Sequence, residues 1–442
     1  MSSNNRSNLL QKLAAATATI ATFAKSFVPF YLIGSTAIFV TSSVVASALV
    51  AINWRQLRAD ARQVSGLGVG FAALYGLVVA NYLLHTLGKV PATHLLGILV
   101  FHGLFLVLGF SAVRALPAVF AVLAAFAASY VLVIAQYTVR FGDPMRAGYL
   151  EDIFNIGVVA VSITFHQNIG VALGLAVLAG YAFATTRIRL LWVIAVTLAL
   201  MFLYHIAART AIAGVLCALA FLLCGYLCRR SRALAAAGLV ALLLSTAVAS
   251  GLFYRFAIQD RNVDEVAPDA ISRTIRELQD PRPQFRLQIW LRAGQRIAAD
   301  PARLPLGRGV GAYPIDEGFG APDWLLHSTE GSKYYPHNVY LEMLYENGLV
   351  GVLLLAYLTL FPLIFALGRW GEVSETEKSA IAMYVFSLAG VAISGSFAYS
   401  YDFQFFLGMA IGVVALNRAR LARNARAQQA LSELRAGSLP SS

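Results

Sequence analysis

Apolar runs about as long as a membrane-crossing helix recur along most of this sequence. Such runs restrict the fold strongly, because a helix needs roughly 20 residues to cross the hydrocarbon of a bilayer. The composition agrees, with 59% hydrophobic and only 13% charged residues, whereas soluble domains carry roughly 25% charge. Backbone groups in lipid must be satisfied internally, which only helices and closed barrels achieve. We therefore predict an all-α polytopic membrane protein.

The apolar windows predict about 12 transmembrane helices and one large polar loop. We place the first nine spans in residues 1–254 and the last three in residues 349–416. Residues 255–348 are predicted to form a loop subdomain with two helices, and residues 417–442 are predicted to form a basic cytoplasmic tail. The predicted spans lie near residues 13–33, 35–53, 66–87, 94–112, 116–138, 156–185, 190–207, 210–228, 233–254, 349–367, 379–397 and 401–416.

Basic residues cluster in alternate connectors between these spans, a pattern that marks the cytoplasmic side of a membrane protein. The pattern places both termini in the cytoplasm and, in a bacterium, the long loop in the periplasm. It also explains the net charge of +12 better than nucleic-acid binding does, because the basic residues form no single amphipathic face. The connectors carry Arg55, Arg58, Arg62, Arg114, Arg187, Arg189, Arg229, Arg230, Arg232, Arg369 and Lys378.

Two helices are predicted within the long loop. The first covers residues 284–299, since it follows Pro283 and ends before Pro301. The second begins near His337 and ends at a break at Gly348, before the next span.

Arginines lie on or just before the first of these helices. Four-residue spacing places Arg282, Arg286 and Trp290 on one face, and Arg292 with Arg296 on another. Arginine binds phosphate bidentately and stays charged, so one such face turned toward the membrane suits a pyrophosphate. The alternative is a solvated helix whose arginines pair with Asp and Glu of the same loop.

One histidine of the loop, His337, follows Pro336 at the start of the second helix. An imidazole with a usual pKa near ~6.5 accepts a proton at neutral pH, so a histidine at the membrane surface can act as a general base. The alternative is a structural histidine that caps or hydrogen-bonds the helix start.

Two lone charges lie at the predicted outer ends of spans, and one of them, Arg209, goes against the orientation pattern. Arg209 stands between two apolar runs, and Asp402 begins the last span. Ionisable residues in such places are candidates for function. For Arg209, the alternative is a side chain that extends along its helix end to reach water.

Several motifs of other enzyme classes are absent from the sequence. There is no Asp-x-Asp pair, no His-x-x-x-His, no Walker sequence and no Gly-x-Ser-x-Gly. These absences argue against metal-dependent sugar transfer and serine hydrolysis, and we predict neither a metal nor a cofactor. The glycines at 307, 309 and 311 are compatible with an anion-binding nest, but a loop turn is the favoured interpretation.

Five short motifs follow one another around the long loop. Their order and position resemble the O-antigen ligases of the O-antigen ligase/polymerase superfamily, with agreement between about residues 205 and 350. The motifs are Arg209-Thr210, Arg286-Leu287-Gln288-Ile289-Trp290, Pro305-Leu306-Gly307-Arg308-Gly309, His337-Asn338-Val339-Tyr340-Leu341 and Glu346-Asn347-Gly348.

The resemblance implies a GT-C-like glycosyltransferase of the bacterial inner membrane with its active site on the periplasmic side. Such enzymes transfer O-antigen from undecaprenyl pyrophosphate to lipid A-core without metal or nucleotide, so these two lipids and the surrounding membrane lipids are the expected partners.

Carried over by motif, His337 is the expected catalytic residue, and Arg209 and Arg286 are expected to hold the pyrophosphate. Weaker supporting roles are expected for Arg282, Arg292, Asn338 and Asp402. An O-antigen polymerase or a protein O-oligosaccharyltransferase remains an alternative, since both use the same donor. A transporter or flippase of lipid-linked glycan is a further alternative, because intramembrane charges can also line a pathway.

Overall fold

The computed structural model describes residues 3–24, 27, 34–141, 159–184, 188–206, 208–231, 286–318 and 335–437. Nearly all of these residues are helical, and they include no β-strand. The α-helices are α1 (Ser3–Phe23), α2 (Ser35–Ile52), α3 (Trp54–Arg62), α4 (Ser65–Asn81), α5 (Ala92–Ala112), α6 (Leu116–Phe141), α7 (Val159–Gly180), α8 (Arg189–His205), α9 (Arg209–Arg230), α10 (Arg286–Ala299), α11 (Ala312–Asp316), α12 (Val339–Gly368), α13 (Glu375–Ser394) and α14 (Tyr401–Gly437).

Seven helical segments of the described residues are long and apolar enough to cross a membrane. One of them, Ala92–Leu132, combines two of the predicted spans, and two shorter apolar helices, Gln167–Phe183 and Arg189–Tyr204, match two others. The chain is therefore a polytopic helical membrane protein. The total of about 12 spans stays a prediction, because the predicted span at 233–254 lies outside the described residues. The GT-C-like class also stays a prediction.

Helices α5 and α14 pack closely against each other. A Cβ atom added to Gly109 of α5 would lie 1.8 Å from the carbonyl oxygen of Phe405 in α14. Glycine thus lets the two backbones touch, as small residues do in membrane helices. Tyr401 at the start of α14 contacts Phe101, in the middle of α5, with ring centroids 5.1 Å apart, and both chains continue from there in the same direction to the contact of Gly109 with Phe405. Both helices therefore start at the same end of the bundle.

A kink at Gly348 divides α12 into an outer segment and a spanning segment. Gly348 has φ 68° and ψ −169°, which no helical residue adopts. The backbone groups released by the kink bond to the glycine-containing loop after α10, because Arg308 and Gly309 donate to the carbonyls of Tyr345 and Glu346 at 3.0 and 2.9 Å. The break predicted at this glycine is confirmed.

The same loop provides no anion-binding nest for a ligand. Its amide groups at 308 and 309 bind α12 carbonyls, and the carboxylate of Glu346 accepts hydrogen bonds from the amides of Gly311 and Tyr313. A Cβ on Gly307 would lie 2.4 Å from the carbonyl carbon of Glu346, so only glycine fits there. The loop turn that the sequence analysis favoured is confirmed.

Several helix boundaries differ from the predictions; α1, for instance, begins at Ser3 rather than near residue 13. The basic connector after α2 forms a short helix, α3, that the apolar windows did not reveal. Helix α13 begins at Glu375, four residues before the predicted span, because Ser374 and Glu377 form a capping box. Helix α14 continues to Gly437 through most of the segment predicted as a separate tail.

Candidate active site

The turn that carries His337 has an unusual backbone conformation. His337 has φ 54° and is the only described non-glycine residue with a positive φ. The next residue, Asn338, is the N-cap of α12, and its Oδ1 accepts hydrogen bonds from the amides of Tyr340 and Leu341, both at 3.0 Å. Positive φ values outside glycine cost energy and cluster at functional sites. The predicted helix start is confirmed, and a strained residue precedes it.

One face of α10 connects the His337 turn to the bundle. Trp290 donates its indole N–H to the carbonyl oxygen of Pro336 at 2.6 Å, directly before His337. One turn earlier, Arg286 donates from Nη2 to Oγ of Ser394 at 2.8 Å. Ser394 is the last residue of α13. A single helix face thus places a guanidinium group and the histidine turn against the same end of the bundle.

A buried carboxylate, Glu342, lies one turn into α12 and holds the segment that follows Ser394. Glu342 is 5% exposed and accepts hydrogen bonds from Oγ of Ser396 and the amide of Phe397, both at 2.9 Å. The end of α13 is therefore tied to α10 through Arg286, and the segment that follows it is tied to α12 through Glu342. Sequence reasoning missed Glu342, although an acidic residue at the start of an apolar helix is a recognisable signal.

The ring of Tyr335 lies beside the imidazole of His337. Its centroid is 4.4 Å from that of His337 and 6.3 Å from that of Tyr399. Burial raises the pKa of Tyr335, the negative charge of Glu342 raises it further, and the positive charge of Arg286 partly offsets both. The phenol therefore stays protonated at neutral pH and can donate a hydrogen bond. Tyr335 is a second residue to which the sequence analysis gave no role.

The same end of the bundle contains Arg209, the first residue of α9. Its neighbour Thr210 packs on α13, since a Cβ added to Gly390 would lie 4.0 Å from Cγ2 of Thr210. Gly390 is one helical turn before Ser394, the hydroxyl partner of Arg286. The starts of α9 and α10 thus meet the last turns of α13.

The weaker candidates have different surroundings. Arg292 forms an ion pair of 3.7 Å with Glu317 of its own loop, as the alternative interpretation expected. Asp402 lies in the first turn of α14, and its carboxylate accepts a hydrogen bond from the amide of Phe403. Arg282 lies outside the described residues. Among the residues that the structure does describe, no cluster of three His, Cys, Asp or Glu side chains could hold a metal ion.

Fold and site together define a polytopic helical membrane protein whose arginine, histidine and tyrosine side chains gather at helix ends on one side of the bundle. Residues 194–356 match a family model described as O-antigen ligase. The match supports membership of the O-antigen ligase superfamily and confirms the resemblance drawn from the motifs. It includes Arg209, Arg286 and His337, whereas Asp402 lies outside it. No curated protein matches the chain.

Proposed function

We propose that this protein is a glycosyltransferase that moves O-antigen polysaccharide from undecaprenyl pyrophosphate to lipid A-core on the periplasmic side of the bacterial inner membrane. The family match supports the general class of reaction. The observation that carries the proposal is the pair of hydrogen bonds from α10, which join Arg286 to the end of α13 and Trp290 to the turn of His337.

The positive charges act on the leaving group. As the bond between the anomeric carbon and the pyrophosphate oxygen breaks, negative charge accumulates on the pyrophosphate. Arg286 and Arg209 lie on helix ends that meet α13, where fixed guanidinium groups stabilise that charge best because little water competes. The apolar polyprenyl chain then lies along the membrane-facing helices.

His337 acts on the acceptor. A sugar hydroxyl of lipid A-core is a poor nucleophile until a base removes its proton, and the imidazole accepts that proton as the new carbon–oxygen bond forms. The products are the glycosylated lipid A-core and undecaprenyl pyrophosphate. Direct displacement of this kind inverts the anomeric centre. Asn338 supports the reaction indirectly, because its cap fixes the helix that follows the histidine.

Trp290 and Tyr335 are positioning residues in this proposal. A left-handed backbone at His337 persists only if its surroundings hold it. Trp290 holds the preceding carbonyl, and the Tyr335 ring packs against the imidazole at 4.4 Å. Both contacts restrict where the imidazole points, and catalysis by a base depends steeply on that geometry.

An acceptor competition tests the proposal. Purified protein receives one lipid-linked glycan donor together with lipid A-core, a second lipid-linked glycan and a pilin-like protein, and each product is quantified by mass spectrometry. We expect lipid A-core to become the main product. Glycan extension would instead identify a polymerase, a modified pilin would identify a protein O-oligosaccharyltransferase, and donor movement across proteoliposomes without covalent transfer would identify a flippase.

A further inference from the structure

The end of the bundle opposite to His337 contains a cavity of about 320 Å³ between α3, the turn before α6 and the C-terminal half of α14. Arg114 and Asp60 line one wall, and Arg423 and Arg426 line the other. Leu416 lines it closer to the bundle centre. Positions 416, 423 and 426 recur at helical spacing, so one face of α14 offers an apolar part and then a charged part.

The charges of this cavity do not balance. Asp60 is its only lining acid, and it already binds Arg114, with a shortest nitrogen–oxygen distance of 2.5 Å. Arg423 and Arg426 form no ion pair with any residue in the described part of the chain. By contrast, the nearby Arg420 of the same helix binds Glu377 at 2.8 Å. Two positive charges therefore remain for a ligand.

The walls of the cavity are fixed to each other. Arg418 of α14 donates to the carbonyl oxygen of Gln63, directly after α3, at 3.0 Å. The ion pair between Arg114 and Asp60 joins the turn before α6 to α3. The cavity is thus a built feature of three elements, and the two exposed arginines line it.

We propose that this cavity binds the phosphate headgroup of an anionic phospholipid, with Arg423 and Arg426 on the phosphate and the acyl chains toward Leu416. Basic pockets between spanning helices on the basic side of a membrane protein suit such headgroups, and arginine matches phosphate geometry. A lipid fits better than a free anion because the cavity changes from charged to apolar along α14. This inference does not depend on the proposed transferase activity.

A lipid titration with the full-length protein in neutral detergent tests the site. The probes are phosphatidylglycerol, phosphatidylcholine and inorganic phosphate, and the readout is the midpoint of thermal unfolding. For the wild type, phosphatidylglycerol at about 100 times its Kd raises the midpoint by roughly 5 °C, and the other two probes have little effect. In the double variant Arg423→Gln/Arg426→Gln, at least half of that shift is lost.

Arg369→Gln is the matched control, because Arg369 is an exposed arginine at the same end that pairs with Glu372 and lies outside the cavity. It should keep the full shift. The single variant Arg426→Gln gives a second test if the double variant folds poorly, since α14 is solvent-exposed around this residue. An undiminished shift in the arginine variants overturns the site. Equal shifts with phosphatidylcholine, or with inorganic phosphate, overturn its assignment to an anionic lipid.

Discussion

Helix α10 places its arginines in two different surroundings. Arg286 lies on the face that contacts the bundle, and donates to the hydroxyl of Ser394 across a long separation in sequence. Arg292 and Arg296 lie on the other face, where they bind Glu317 of the same loop at 3.7 and 3.1 Å. Residue type treats these arginines alike, whereas helical spacing places them on two faces. Their bonding partners differ, because the face with Arg286 contacts the bundle, whereas the face with Arg292 and Arg296 holds the loop together.

The difference assigns different tasks to the two faces. A contact between α10 and the bundle sets where the charge of Arg286 lies relative to His337, so its loss should change catalysis. The contacts with Glu317 are internal to the loop, so their loss should change stability. The variants below test this separation, starting with the largest expected effect.

His337→Ala should abolish glycan transfer, with a loss of about 100-fold or more, because the acceptor hydroxyl then lacks its base. The measurement is transfer from purified lipid-linked donor to lipid A-core, alongside the amount of folded protein in the membrane. Near-normal transfer in this variant would refute the assignment of the base.

Arg286→Lys should lower transfer by roughly 10-fold or more, because an ammonium group cannot reproduce the bidentate fork of a guanidinium on pyrophosphate. Arg292→Lys is the matched control on the other face and should lower the rate by less than about 2-fold. Rates are compared at saturating donor and at low donor, to separate chemistry from binding. Equal losses in the two variants would remove the distinction between the faces.

Local sequence patterns predicted much of this arrangement. The four-residue spacing divided the arginines of α10 into the two faces that the contacts confirm, and Gly348 marked the kink of α12. Such features follow from helical periodicity and from the conformational freedom of glycine, both of which act over a few residues.

These local patterns could not predict the contacts that assemble the site. Trp290 bonds to the backbone of Pro336, and Arg286 bonds to Ser394, over separations of 46 and 108 residues. A backbone carbonyl acceptor cannot be recognised from the sequence, because every residue has a backbone carbonyl. The role of Tyr335 beside His337 depends on the same folding of distant segments together.

Trp290→Phe should lower kcat by about 5-fold with little change in KM, since one hydrogen bond of roughly 1 kcal/mol no longer holds the His337 turn. Trp192→Phe is the matched control, because Trp192 donates its indole N–H to a backbone carbonyl, that of Val177, at 2.7 Å far from the site. It should leave kcat unchanged. A purely structural role for Trp290 would lower the melting temperature and spare kcat per folded molecule.

Glu317→Gln should have the smallest effect on transfer and a modest effect on stability. The Glu317 side chain is 8% exposed, but its arginine partners are 40% and 42% exposed, so solvent screens much of the attraction. We expect a loss of about 1 kcal/mol in the free energy of unfolding, measured by thermal denaturation.

A double-mutant cycle with Arg296→Gln shows whether that loss arises from the ion pair itself. If it does, the double variant should be scarcely less stable than the worse single variant, because the second substitution removes a partner that is already lost. Additive losses would mean that the two residues act independently. A fall in transfer that exceeds the fall in stability would mean that the loop-facing side of α10 also contributes to the site.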